Sequence, residues 1–245
     1  MTASSRLSNV TGGVARLSGG AAFLVVAILL HASRDRWPVR QQVHAQELLY
    51  VRSPQALGRM VLEFDAVAAD LYWIRAIQHY GGERLKPSGA PRGYERLYPL
   101  LDMTTSLDPY FSIAYRFGAI FLSEPYPGGP GRPDLAMTLL KKGIAAQPAR
   151  WQYYHDIGFV HYWALKDPHG AAAWFRQAST ISGAPNWLLP VAAAVLTETG
   201  DRTAARHLWR QIQEADEEWL RKRAERALSE LDVLDEIDRM KERSR

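Results

Sequence analysis

From Ser53 onward apolar positions recur every three or four residues, the period of an amphipathic helix, and no run alternates apolar and polar with period two. The pattern predicts an all-α fold over residues 53–218. Ser53-Pro54 reads as a helix start, with Ser as N-cap and Pro in the first turn, where its missing N–H removes no helical bond. A helix over 54–80 follows, holding Asp70 and Arg75 five residues apart with Trp73 between them. Near the other end, Leu220, Ala224, Ala227, Leu231, Leu234 and Ile237 fall at three-to-four spacing. That spacing predicts an amphipathic helix over 219–245, closing the helical region with its apolar stripe and turning its charges to water.

The pattern also repeats. Ala136, Leu140 and Gly143, then Ala171, Phe175 and Ala178, then Ala205, Trp209 and Ile212 form triples at spacings of four and three, each on one helix face. They begin 35 and 34 residues apart, and Pro148 and Pro185 follow the first two and end their helices. A degenerate copy, Leu97, Leu101 and Thr104 before Pro109, begins 39 residues upstream of Ala136, and the Pro/Gly-rich stretch 123–132 accounts for the excess. The helices ahead of the triples share a template too: Ala114, Phe117, Gly118 and Phe121, then Tyr154, Ile157, Gly158 and His161, then more weakly Leu189, Ala192, Ala193 and Leu196. A small residue in each helix of a pair permits close approach, and an aromatic side chain fills the space between.

This chain resembles the tetratricopeptide repeat (TPR) family, whose pattern W-x2-L-G-x2-Y, then A-x3-F, then P recurs about every 34 residues. The resemblance covers residues 93–215, and 54–92 by extension. No copy holds the aromatic, Leu, Gly and Tyr together, Gly143 and Ile212 stand where the family has Ala, and Leu140 replaces an aromatic. The resemblance implies a TPR-like α-solenoid of about four helical hairpins, with the first helix of each lining a concave groove for a protein or peptide partner. Once packing residues are assigned, Tyr115, His155, Phe159, Tyr162, Trp163 and Trp187 remain on that side. Aromatics with polar tips suit recognition, and with few Lys or Arg nearby the expected partner is apolar or proline-containing. Two alternatives stay open: that these aromatics are core between neighbouring repeats, and that the helices form a bundle without repeats.

The N-terminal region has a different character. Residues 1–34 contain no Asp or Glu, and an apolar run over 17–32 lies between Arg16 and Arg34. Sixteen helical residues rise about 24 Å, somewhat short of a hydrocarbon core of about 30 Å, and arginines at both ends extend the span by snorkelling. The expected layout is a tail at 1–16, a transmembrane anchor at 17–33 and a juxtamembrane connector at 34–52. A cleaved signal peptide, for which Leu30-His31-Ala32 is a poor cleavage site, and a buried helix or organellar presequence remain alternatives. Arginines on both sides of the run nearly cancel as an orientation signal. A chain without Cys suits an oxidising compartment. The expectation is a single-pass protein of a bacterial inner membrane, with its helices extracytoplasmic and its partner membrane-associated.

Composition narrows the chemistry. Of 245 residues, 47% are hydrophobic and 23% charged, which suits a folded chain and not a disordered one. The absence of Cys excludes disulfides, thiolate metal sites and Cys nucleophiles. Basic residues outnumber acidic ones twelve to seven in the first hundred positions, and the two balance at seven each from 101 to 200. No folded stretch therefore carries the basic excess a nucleic-acid partner requires, and none is expected. There is no Gly-Lys-Ser/Thr, His-Glu-x-x-His or Gly-x-Ser-x-Gly. His155 and His161 are six apart and Asp65 and Asp70 five apart, so each pair points to different helix faces. No catalytic residue, metal or cofactor is expected. The reading is an adaptor or assembly factor for a membrane or envelope complex. Its rivals are a permanent structural subunit of such a complex and an enzyme with a dispersed site built from Asp65, Asp70, Arg75 and His79.

Overall fold

A computed structural model describes residues 64–244, which fold as helices joined by short turns, with no strand among the described residues. In chain order they are α1 (Asp65–Arg84), α2 (Leu97–Leu107), α3 (Ser112–Ser123), α4 (Pro133–Ala146), α5 (Trp151–Trp163), α6 (Pro168–Ser179), α7 (Leu188–Glu198), α8 (Arg202–Gln213) and α9 (Glu218–Arg243). All lie in the second of the two units into which the chain divides, Val51–Arg245. The expected anchor at 17–33, the connector at 34–52 and residues 54–63 of the expected 54–80 helix lie outside the described residues; Phe64 is not helical, so α1 starts at Asp65 and does not run through from 54 as expected. Among the described residues no helix is long and apolar enough to cross a membrane.

The helices pack in chain order, each against the next, with further contacts between α2 and α4, α3 and α5, and α7 and α9. The residues of all four triples are buried, and Gly118 and Gly158 explain how closely the helices approach. A Cβ on Gly118 would stand 2.9 Å from methyl carbons of Leu101 on α2 and Leu139 on α4; one on Gly158 would stand 2.7 Å from the Phe175 ring on α6. Thr104 takes a core position because its hydroxyl donates to the Leu100 carbonyl at 2.8 Å. Charged pairs link alternate helices: Lys142 on α4 reaches Asp102 on α2 at 2.6 Å, and Arg116 on α3 grips Asp156 on α5 at 2.6 Å.

Helix starts follow local chemistry. Pro133 and Pro168 occupy the first turns of α4 and α6, and Asp167 and Asp201 cap α6 and α8 by accepting from the N–H groups of Gly170 and Ala204 at 2.9 and 3.0 Å. Helix α1 runs four residues past the expected end at Tyr80: Gly81 and Gly82 remain helical, while Arg84 in the last turn donates to Tyr80 Oη and pairs with Glu124 beyond the end of α3. At the other end, α9 buries Leu220, Ala224 and Leu231 of the expected stripe, while Ala227 and Ile237 are half-buried and Leu234 is exposed. Its charges do not all face water, however. Asp235 and Asp238 take Arg202 at 2.9 and 2.7 Å, and Asp232 and Asp235 take Arg206 at 2.5 and 2.7 Å, so an ionic seam joins α9 to α8.

Candidate functional site

Helices α3, α5 and α7 each contain a single Asp, Glu, Lys or Arg, namely Arg116, Asp156 and Glu198. Such helices are apolar nearly all round, and their buried faces do not use all of that surface. On α3, Ile113, Phe117 and Ile120 stand at spacings of four and three on the exposed side; on α5, Phe159 and Tyr162, three apart, are exposed as well. Phe117 is 50% exposed and Phe159 39%, too much for core residues and more than folding alone requires of so large a side chain.

Between α3 and α5 lies a cavity of about 220 Å³ lined by Arg116, Ala119, Ile120, His155, Asp156 and Phe159, with Ser123 and Val160 completing it. It is smaller than the pockets that hold drug-sized ligands, about 300–1,000 Å³, and matches a single bulky side chain from another chain. Its polar groups are engaged with one another. Arg116 Nε and Nη2 donate to Asp156 at 2.6 and 3.2 Å, and His155 Nδ1 lies 3.0 Å from the same carboxylate. The Asp156 carboxylate holds the Arg116 guanidinium above its ordinary pKa, with burial opposing.

The structure distributes the six expected groove residues unevenly. His155 and Phe159 line this cavity, and Phe159 stacks on the half-buried Trp163 at 5.9 Å between ring centroids. Tyr162 is exposed one turn from Phe159 and donates to Glu198 at 3.1 Å; that carboxylate raises the phenol's pKa. Trp187, also exposed, meets His155 edge-on at 5.7 Å and Trp151 at 6.0 Å. Tyr115 is a correction. It is completely buried, tilted against Tyr153 at 5.4 Å with Gly143 beside its ring, and its hydroxyl donates to the Thr105 carbonyl. Burial pushes its pKa up to about 12. Its helix has neighbours on both sides, so residue 115 faces α4 and α5 rather than an open surface.

Phe117 departs in the opposite sense: it occupies the repeat position that Ile157 buries, yet it is exposed. Ile113, Phe117 and Ile120 share a face by spacing on a helix with one charge, but spacing alone reads them equally as core. The residues of the dispersed polar site do not converge. Asp70 is exposed, Arg75 lies over the Tyr72 ring, and Asp65 and His79 turn toward the buried side, where Asp65 Oδ1 and His79 Nε2 lack hydrogen-bond partners. Among the described residues no group of three or more His, Asp or Glu is placed to hold a metal ion. A cleft of about 310 Å³ beside the 123–132 loop includes Arg92 and Arg132, but Arg92 donates to the Pro127 and Lys86 carbonyls and Arg132 to Asp134, so these side chains serve the loop. Compared with known family models, curated proteins and solved structures, the chain matches none.

Proposed function

We propose that these helices form a TPR-like α-solenoid that binds a protein partner across the outward faces of α3 and α5, and that the chain acts as an adaptor or assembly factor for a membrane or envelope complex. The observation that carries this reading is the set of exposed apolar side chains on α3 and α5, Ile113, Phe117, Ile120, Phe159 and Tyr162, of which Ile120 and Phe159 line a cavity of side-chain size. An interface energy concentrated in a few buried anchors suits such a site: one large apolar side chain of the partner fills the cavity while the surrounding aromatics exclude water. Binding is favoured over catalysis because Arg116, Asp156 and His155 are spent on each other. In this reading residues 17–33 anchor the chain in a bacterial inner membrane with the helices extracytoplasmic, which raises the effective concentration of a weak groove toward membrane partners. A permanent structural subunit is the second reading, favoured by the same exposed apolar area.

The test is site-specific photo-crosslinking in native membranes, with a benzophenone side chain placed at Phe117, Phe159 or, as control, the exposed Lys141 on α4. The expected result is a discrete adduct from Phe117 and Phe159 and none from Lys141. Equal labelling at the three positions, or labelling from Lys141 alone, contradicts the proposal. Adducts that are lost when the solubilised membranes are diluted before irradiation support an adaptor, and adducts that form undiminished after that dilution support a permanent subunit.

A further inference from the structure

Helices α6 and α8 both pack against α7 and leave an open trough of about 290 Å³ between them. Its floor is apolar: Ala172 of α6, Leu196 of α7 and Leu208 of α8 are buried, and the short side chains of Ala173 and Ala204 keep the trough open. At one end His169 Nδ1 lies 3.7 Å from Asp201 Oδ2, while the other Asp201 oxygen caps α8 by accepting from the Ala204 N–H at 3.0 Å. The other end holds Arg176, seven residues or about 10 Å further along α6, and His207, six residues on from Asp201. The Asp201 charge is thus met by its own helix and an imidazole, and that of Arg176 by nothing comparable. Arg116 is paired with Asp156, Arg132 with Asp134 and Arg150 with Gln147, whereas the Arg176 guanidinium and the His207 ring have no partner among the described residues.

We propose that this trough binds a small organic carboxylate, its oxygens on Arg176 and His207 and its apolar body on Ala172, Ala173 and Leu208. The lining selects that class. A guanidinium presents paired N–H donors in one plane, the geometry of a carboxylate, and an imidazole in any protonation state adds at least one more donor. A compact phosphate carries oxygens on every side, and here the floor offers it no donor and Asp201 opposes it at the far end. A neutral apolar molecule would cover the floor and leave the Arg176 donors unused. Size narrows the ligand further: a cavity of about 150 Å³ already accepts benzene, and the trough stands at the lower edge of the range for small-molecule pockets. The apolar body is therefore about one ring, or a short aliphatic chain of similar bulk.

The histidines at the two ends of the trough report on it directly. Full-length protein in detergent, at fixed pH, is titrated with benzoate while the imidazole Cε1–H resonances are followed by NMR, those of His169 and His207 being assigned by their loss in His169→Gln and His207→Gln. Benzyl alcohol supplies the same ring without the charge, and inorganic phosphate the charge without the ring. The expected result is a saturable shift of the His207 and His169 signals by benzoate with a dissociation constant of about 1 mM, with the His155 and His161 signals unmoved. Benzyl alcohol and phosphate should bind at least about tenfold more weakly, and Arg176→Gln should weaken benzoate by about tenfold. Ala173→Leu, at an exposed position that fills the trough, should abolish the shift, and Lys141→Gln on α4 should leave it unchanged. No saturable shift by about 10 mM benzoate overturns the proposal. So does phosphate binding as tightly as benzoate, which would mean attraction of any anion, or benzyl alcohol doing so, which would mean an apolar hollow alone. Benzoate binding undiminished in Arg176→Gln also overturns it; if a variant melts at lower temperature, the three probes on wild-type protein decide. The trough shares no residue with the α3–α5 cavity, so its failure leaves the binding reading standing.

Discussion

Gly158 leaves no room for a methyl group. A Cβ there would meet two ring carbons of Phe175 at 2.7 Å and the Ala171 carbonyl oxygen at 3.2 Å, and the ring, only 4% exposed, has little space to retreat. Gly158→Ala should therefore cost about 1–3 kcal/mol by overpacking, and Phe175→Ala about 3–5 kcal/mol as a core truncation, both read by denaturant unfolding. The double variant should cost less than the two together, because the smaller side chain at 175 relieves the clash. A cost for Gly158→Ala near zero would show that α5 and α6 part easily. Both residues were legible before any coordinates, since Gly158 and Phe175 recur at fixed places in a repeating pattern. Tyr115 was not: periodicity tells which residues share a face, but only the position of α4 and α5 tells that residue 115 points at Gly143 and Tyr153.

At the scale of elements, α9 depends on charge as well as on its apolar stripe. Arg206, with a side chain only 20% exposed, holds Asp232 and Asp235 together. Removing it leaves two carboxylates near each other without their shared cation. Arg206→Gln should lower stability by about 0.5–1 kcal/mol, the modest size expected for pairs whose acids are largely in water. Amide exchange should rise in the second half of α9 while α5 and α6 keep their protection. Unchanged exchange over 230–243 would show that Leu220, Ala224 and Leu231 dock the helix unaided. The caps are sharper: Asp167→Ala should cost about 1 kcal/mol by freeing the Gly170 N–H. The buried part of the α9 stripe, Leu220, Ala224 and Leu231, was readable from spacing. The ionic seam was not, because Asp232, Asp235 and Asp238 look like any solvated face until Arg202 and Arg206 are placed beside them.

For the molecule as a whole, stability should depend on pH. His79 has its pKa held below the usual 6.5, chiefly by burial, with Arg96 and Lys86 acting in the same direction and Glu83 and Glu95 against it. The unfolded chain then binds that proton more readily than the folded one, so this contribution to stability is complete above the ordinary value and declines as pH falls through it. The melting temperature of wild type should drop between about pH 7.5 and 5 more than that of His79→Gln; parallel curves would mean that the imidazole does not carry the change. The all-α class and the chain-order packing were accessible from 34-residue self-similarity. The exposed face of α3 needed coordinates, since an apolar residue on a nearly uncharged helix reads equally as core or as interface until its neighbours are known. The most direct measurement is a thermal melt combined with photo-crosslinking of Phe117→Asp/Phe159→Asp, the benzophenone now at Ile120. The account predicts a melting temperature within a few degrees of wild type together with loss of the adduct formed by the Ile120 probe on an otherwise unaltered chain. A melting temperature lowered by ten degrees or more, or an adduct undiminished by the two aspartates, would contradict it.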